Sequence, residues 1–133
     1  MTDFFVDSNV LLYSISPDAE KIKRSKNIIN DGPTISAQVL NEFVSVARKK
    51  FMVSFDDLNT ALNPIKLACR VVPVTIDTHN LALEISRFAK LNIYDANIVA
   101  AAELAGCGVL YTEDMNHGQR IGGVEIRNPF MVE

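Results

Sequence analysis

The stretch Leu91 to Gly118, LNIYDANIVAAAELAGCGVLYTEDMNHG, decides how the rest of the chain is read. It predicts a helix headed by Asp95, with Ala96, Val99, Ala100 and Leu104 recurring at three-to-four-residue spacing as an apolar stripe. The small side chains of Ala96 and Ala100 to Ala102 would let that helix lie close against a sheet. A tight turn at Gly106 and Gly108, a short strand over Val109–Tyr111 and an acidic pair, Glu113–Asp114, follow it. An aspartate at a helix start is favoured by the unpaired N–H groups and by the helix dipole. Taken alone, Asp95 therefore reads as a cap. Its meaning depends on where the other acids fall.

Upstream, Asp3 to Val6 (DFFV) reads as a strand that runs straight into Asp7, Ser8 and Asn9, all helix-capping residue types, and then Val10 to Tyr13. Asp18 can cap a second helix to about Asn30, stopped by Gly32–Pro33. Thr34 to Ala37 is strand-like, and the following helix presents Val39, Leu40, Phe43, Val44 and Ala47 as its apolar face. Glu42 lies at the edge of that stripe, where position alone makes it a solvated flank residue. Ser54 with Asp57 resembles a capping box that opens a helix to about Ala68, and Pro64 should kink or split it. Val71 to Val74 predicts a strand at an edge or an end because of Pro73. A helix from Asp77 to about Lys90 and a last strand near Val124–Ile126 complete the pattern.

Strands alternate with helices, and each gap is long enough for a crossover. We expect one α/β domain over residues 1–133, a three-layer sandwich around a mostly parallel sheet of four to five short strands. Val10, Leu11 and Tyr13, with Ile22, Ile28 and Ile29, supply more apolar surface than one small core obviously needs. They either pack inward or line a groove for a partner.

A chain of 133 residues can bury a core without disulfides or metal staples, and 48% apolar with 22% charged residues is an ordinary globular balance. No apolar run approaches the roughly 18 residues that span a bilayer. The opening MTDFFVD lacks the basic and long apolar regions of a signal peptide. Cys69 and Cys107 fit neither a metal-ligand nor a redox spacing and read as buried reduced thiols, which points to the cytoplasm. A net charge of −3 argues against a general polyanion binder. Two basic clusters, Lys21, Lys23, Arg24 and Lys26, then Arg48 to Lys50, read as solvated faces unless something nearby needs phosphate neutralised.

Asp7 follows the first expected strand, Asp114 follows the fourth, and Asp95 opens the helix before the fourth. In parallel sheets, ligands sit outside the carboxyl ends of strands where the strand order reverses. Carboxylates gathered there repel one another and stay ionised together only if a cation joins them. An all-oxygen donor set without a His or Cys pair suits Mg²⁺ or Mn²⁺ rather than zinc.

FFVDSNVLLY, SAQVLNEFVSVARKK and LNIYDANIVAAAELAGCGVLYTEDM together resemble the blocks of the PIN-domain nucleases, and within them the VapC-type toxins of prokaryotic toxin–antitoxin modules. The resemblance runs from about residue 3 to 130. It implies that Asp7, Glu42, Asp95 and Asp114 are the catalytic acids, with Asp7, Asp95 and Asp114 as metal ligands. Asn9 and Thr112 would hold those carboxylates in place, Glu113 would point elsewhere, and His117 and Arg120 could touch substrate, although a lone loop histidine is ordinarily just solvated. The implied reaction is Mg²⁺-assisted hydrolysis of an RNA phosphodiester, Mn²⁺ being an alternative ion. Implied partners are an antitoxin protein and a second copy of the chain. A stand-alone PIN nuclease and a non-catalytic RNA- or protein-binding member remain open. A phosphatase would want an aspartate where Asn9 stands, and a receiver domain an acidic pair before Asp7 and a late lysine.

Overall fold

Phe5 and Val6 have no exposed surface, which reflects the position of β1 (Phe4–Val6) inside a six-stranded sheet. The computed structural model describes residues 3–131; Met1, Thr2, Val132 and Glu133, part of the expected domain span, lie outside them. The strand order is β3-β2-β1-β4-β6-β5, with β2 at Thr34–Ser36, β3 at Arg70–Val72, β4 at Val109–Tyr111, β5 at Arg120–Ile121 and β6 at Val124–Arg127. All pairings are parallel except that of β5 with β6.

The chain steps outward from β1 to β2 to β3, then returns across β1 to β4. Right-handed crossovers put the helices of outward and returning steps on opposite faces. One face carries α1 (Ser8–Leu12), a 3-10 turn (Tyr13–Ile15), α2 (Ala19–Asn30), α3 (Ala37–Lys50) and α4 (Phe55–Ala68). The other carries α5 (Ile76–Ala89) and α6 (Ile93–Leu104), which pack closely on each other. This is the expected three-layer α/β sandwich. The order reverses between β1 and β4, beside which the Asp7 and Asp114 positions fall.

The sheet has one strand more than expected. The two-residue β5 is too short to carry a pattern, and Gly122–Gly123 turns it back onto β6 with Arg120 opposite Glu125. Gly122 has φ +59, in the left-handed region that favours glycine. Pro64 neither ends nor splits α4, which is continuous from Phe55 to Ala68. Pro64 and Thr60 both lie on its exposed face, so the turn that loses its hydrogen bond is solvated. β3 is an edge strand with Pro73 just past its end, as expected. Thr75 caps α5 through a capping box with Thr78, so the helix starts at Ile76, one residue before the expected Asp77.

Asp95 does not cap α6. Asn92 does: its Oδ1 accepts from Asp95 N at 2.9 Å, which leaves Asp95 in the first turn with its carboxylate free of the capping role. Gly106, at φ +79, closes the same helix. The surplus apolar residues of the early helices mostly pack inward. Val10, Leu11, Ile28 and Ile29 join Phe5, Ile35, Phe43 and Leu110 in the core, while Tyr13 and Ile22 are half-buried. The buried Ser25 hydroxyl donates to Val10 O at 2.7 Å and ties α2 to α1. Both cysteines are free and buried, and burial pushes the Cys69 thiol up to about 11. Among the described residues no helix is long and apolar enough to cross a membrane.

The capping assignment can be measured. Asn92→Ala should destabilise the protein by about 0.5–2 kcal/mol in chemical denaturation, whereas Asp95→Asn should not. An Asp95→Asn loss as large as that of Asn92→Ala would make Asp95 the cap after all.

Candidate active site

Asp7 is the first residue past β1, and its backbone N donates to Tyr111 O at 3.0 Å, extending the β1–β4 ladder by one step. Its side chain caps the short α1, with Oδ1 accepting from Ser8 N at 2.7 Å. Thr112 stands one residue past β4 and is fully buried. Its hydroxyl donates to Asp7 Oδ2 at 2.9 Å. The ends of two neighbouring strands are thus joined side chain to side chain. Asn9 then fastens the acidic turn to α1. Its Nδ2 lies 3.0 Å from Asp114 Oδ2 and 3.1 Å from Thr112 Oγ1, and its Oδ1 accepts from Glu113 N at 3.3 Å.

Two more acids arrive from helices on opposite faces of the sheet. Glu42, in the middle of α3, is half-buried, and its Oε1 is buried with no hydrogen-bond partner. Asp95 enters from α6, with Oδ2 accepting from Asn92 Nδ2 at 2.9 Å. Burial pushes the Glu42 carboxyl up to about 7, and the charges of Asp7, Asp95 and Asp114 push in the same direction. Burial likewise raises Asp7 to about 6 against the lowering effect of Thr112 and Ser8. Asp95 is raised by burial and by Asp114. These four acids therefore feel one another's charge.

Among the described residues no ion pair relieves them; the ion pairs join Glu125 to Arg120 and Arg127, away from the acids. Also among the described residues, no three or more acidic, histidine or cysteine side chains stand close enough together to hold a metal ion. The donor chemistry nonetheless fits a hard divalent cation: carboxylate oxygens only, mutually repelling, held by Asn9, Thr112 and Asn92, with Glu42 Oε1 left without a partner.

A cleft of about 520 Å³ opens beside Glu42, Asn9 and Asp114 and reaches Lys50 and Phe51 at the end of α3. Asp7 and Asp95 are not part of its lining. Glu113 lines the same cleft, and its Oε1 accepts from the Tyr13 hydroxyl at 2.7 Å. His117 and Arg120 are not brought to the cleft. His117 Nδ1 accepts from Asn128 N at 2.9 Å, and Arg120 lies 3.6 Å from Glu125. Sequence reading missed Asn92, although an asparagine three residues before Asp95 is an N-cap spacing that could have revealed it. It also missed the engagement of Tyr13 with Glu113, for which a separation of 100 residues leaves no signal.

Solved structures share this fold. A toxin–antitoxin complex from Klebsiella pneumoniae superimposes with a TM-score of 0.70 at 23% identity, covering 98% of this chain and 100% of that one. DNA-bound VapBC from Salmonella typhimurium gives 0.72 at 21% identity, with 97% and 99% covered. VapC20 of Mycobacterium tuberculosis, a sarcin–ricin loop cleaving toxin, gives 0.65 at 22%, with 84% and 90% covered. At such identities the likeness is one of fold. Comparison with curated proteins finds no significant match. Residues 4–120, from β1 to the first residue of β5, match the sequence model of the PIN domain, and the chain belongs to the PIN-domain family.

Proposed function

We propose that this PIN-domain chain is a Mg²⁺-dependent endoribonuclease and the toxin of a toxin–antitoxin module. The observation that carries the reading is the gathering of Asp7, Glu42, Asp95 and Asp114 at the point where the strand order reverses, coupled through their charges and, among the described residues, without ion-pair partners. PIN domains are typically nucleases and usually use divalent metals.

Asp7, Asp95 and Asp114 would hold Mg²⁺, or Mn²⁺ in its place. When bound, the ion supplies a Lewis acid that polarises the phosphodiester and makes water a better nucleophile. Asn9 and Thr112 keep Asp7 and Asp114 in register across the β1–β4 seam, and Asn92 aims Asp95. Glu42, raised to about 7, is suited to accept the attacking water's proton on Oε1 near neutral pH. Single-stranded RNA is the substrate that best exposes its phosphates to such a site.

The toxin–antitoxin complexes of similar fold support a protein partner. An Arg or Lys from it reaching the acids would neutralise them in place of the metal. A groove of about 390 Å³ between α2 and α4, lined by Ile15, Ile29, Ala61, Pro64 and Ile65, would take its apolar side chains. Ile76, Leu83 and Phe88 of α5 and Tyr94 of α6, all well exposed, supply an apolar surface for a homodimer. We place the protein in the cytoplasm on its reduced, buried cysteines.

Asp7→Asn and Asp114→Asn should each abolish Mg²⁺-dependent cleavage of single-stranded RNA while the protein stays folded. Glu42→Gln should lower the rate by roughly 10²–10⁴-fold. Gel assays with Mg²⁺ and with EDTA measure this, and wild-type rates in the aspartate variants would sink the site assignment.

The raised carboxyls also set a pH dependence. Each binds its proton in the fold at pH values where the unfolded chain has already lost it. Between about pH 4 and 7 the folded state holds more protons, so metal-free stability is highest below that window and falls as pH rises through it. The buried Asp7 accounts for a loss of order 2–3 kcal/mol, and the half-exposed Glu42 for less. In EDTA, urea midpoints should drop from pH 5 to pH 8 more steeply for the wild type than for Asp7→Asn. Millimolar Mg²⁺ at pH 8 should restore stability, and less so in Asp95→Asn. Parallel pH slopes would remove Asp7 as the source.

For the partner, co-expression with the product of a small upstream reading frame should give a co-purifying complex without ribonuclease activity. A neighbour that neither binds nor suppresses cleavage would leave a stand-alone PIN nuclease.

A further inference from the structure

Glu113 is the one acid of the β4 turn region that does not join the carboxylate cluster, yet it lines the same cleft as Glu42 and Asp114. It is held there from two sides. Asn9 Oδ1 accepts from its backbone N at 3.3 Å, and the Tyr13 hydroxyl donates to its Oε1 at 2.7 Å. Tyr13 is itself locked. Lys21 Nζ donates to its hydroxyl at 3.2 Å and sits 4.4 Å from its ring centre, and the Phe130 ring packs edge-on at 4.7 Å. The carboxylate therefore meets the cleft in a preset orientation.

A carboxylate facing RNA repels phosphate unless it meets hydrogen-bond donors, because it can only accept. Tyr13 occupies one lone pair of Oε1, which leaves the other and both of Oε2. The donors on RNA are base edges. Guanine alone presents two adjacent donors, N1–H and the N2 amino group, on its Watson–Crick edge. Uracil offers one N–H between two carbonyls, and adenine and cytosine each offer an amino group beside an accepting ring nitrogen. Paired acceptors matched to paired donors select guanine.

The far end of the cleft carries the other half of a nucleotide site. Lys50 supplies a cation for a neighbouring phosphate, and Phe51, 38% exposed, offers a ring face on which a base can stack. A volume of about 520 Å³ is within the usual range for ligand sites. We propose that Glu113, positioned by Tyr13, reads a guanine flanking the scissile phosphate of single-stranded RNA. The proposal rests on the ribonuclease reading above and adds its base preference.

The test maps the cuts that the full chain makes in an RNA of mixed sequence with Mg²⁺ or Mn²⁺, then replaces the flanking guanine with inosine or adenine. Inosine lacks only the N2 amino group. The wild type should cut beside guanine, with kcat/KM falling roughly tenfold for inosine and further for adenine. Anisotropy of the same labelled RNAs in EDTA should show the same order of affinity. Glu113→Gln should bring the guanine-to-inosine ratio towards one. Tyr13→Phe, which keeps the ring against Lys21 and Phe130, should also reduce that ratio, and thermal melts confirm that both variants fold. Cleavage without guanine preference, or a preference that survives Glu113→Gln, would overturn the base-reading site and leave the nuclease intact. Loss of partner binding in Glu113→Gln with the preference unchanged would overturn it too, in favour of a protein contact. No cleavage of any RNA with either metal would bring down both readings.

Discussion

Two parallel strands that are not neighbours in sequence, β1 and β4, run side by side with Phe4 opposite Val109 and Val6 opposite Tyr111. This pairing sets Asp7 and Thr112 at adjacent strand ends, where a 2.9 Å hydrogen bond joins them. The rest of the site is fastened to that bond: Asn9 to Thr112 and Asp114, and the acidic turn to Asn9. A one-residue slip of β4 would turn its side chains to the other face and carry Thr112 away from Asp7. Phe5 and Leu110, both fully buried, hold the register from within the core.

The same arrangement stores electrostatic strain. Folding brings Glu42 from one helical layer and Asp95 from the other towards Asp7, and burial strips water from all three. A core of buried apolar side chains from β1, α3 and α6 compensates for crowding like charges at the surface end of the sheet. The carboxylates are oriented by neutral donors, namely Asn9, Asn92, Thr112 and the Ser8 amide, rather than by lysine or arginine. Neutral donors fix geometry while leaving the negative charge available to a cation. A salt bridge would have spent that charge on the protein itself.

Around the acids the surface divides by chemistry. Lys50 and Phe51 close one end of the cleft, and Tyr13 with Lys21 brace Glu113. Arg48 is otherwise engaged, stacked 4.1 Å from the Phe55 ring centre and donating to Val53 O at 3.0 Å. Arg24 donates to Pro129 O. The two basic clusters therefore have mixed roles: some members pin loops and the C-terminal segment, and Lys50 borders the cleft.

Alternating strand and helix patterns were enough to determine the α/β class and the positions of Asp7, Asp95 and Asp114 relative to strand ends, because those follow from local periodicity and capping chemistry. Family resemblance, not helix position, singled out Glu42, since a glutamate at the edge of an apolar stripe looks solvated in one dimension. Where capping competed, the sequence misled. Asp95 and Asn92 are both good caps, and only the backbone geometry decides that Asn92 accepts from Asp95 N. β5 was invisible because two residues carry no periodicity, and Pro64 looked like a break because its exposure could not be known. The inward packing of Val10, Leu11, Ile28 and Ile29 was undecidable as well, since apolar side chains read alike whether they meet a core or a partner. Tertiary structure alone decided that Glu113 turns to Tyr13 and that His117 and Arg120 face their own hairpin. Those contacts depend on which distant segments the sheet order brings together, and no local pattern encodes that order.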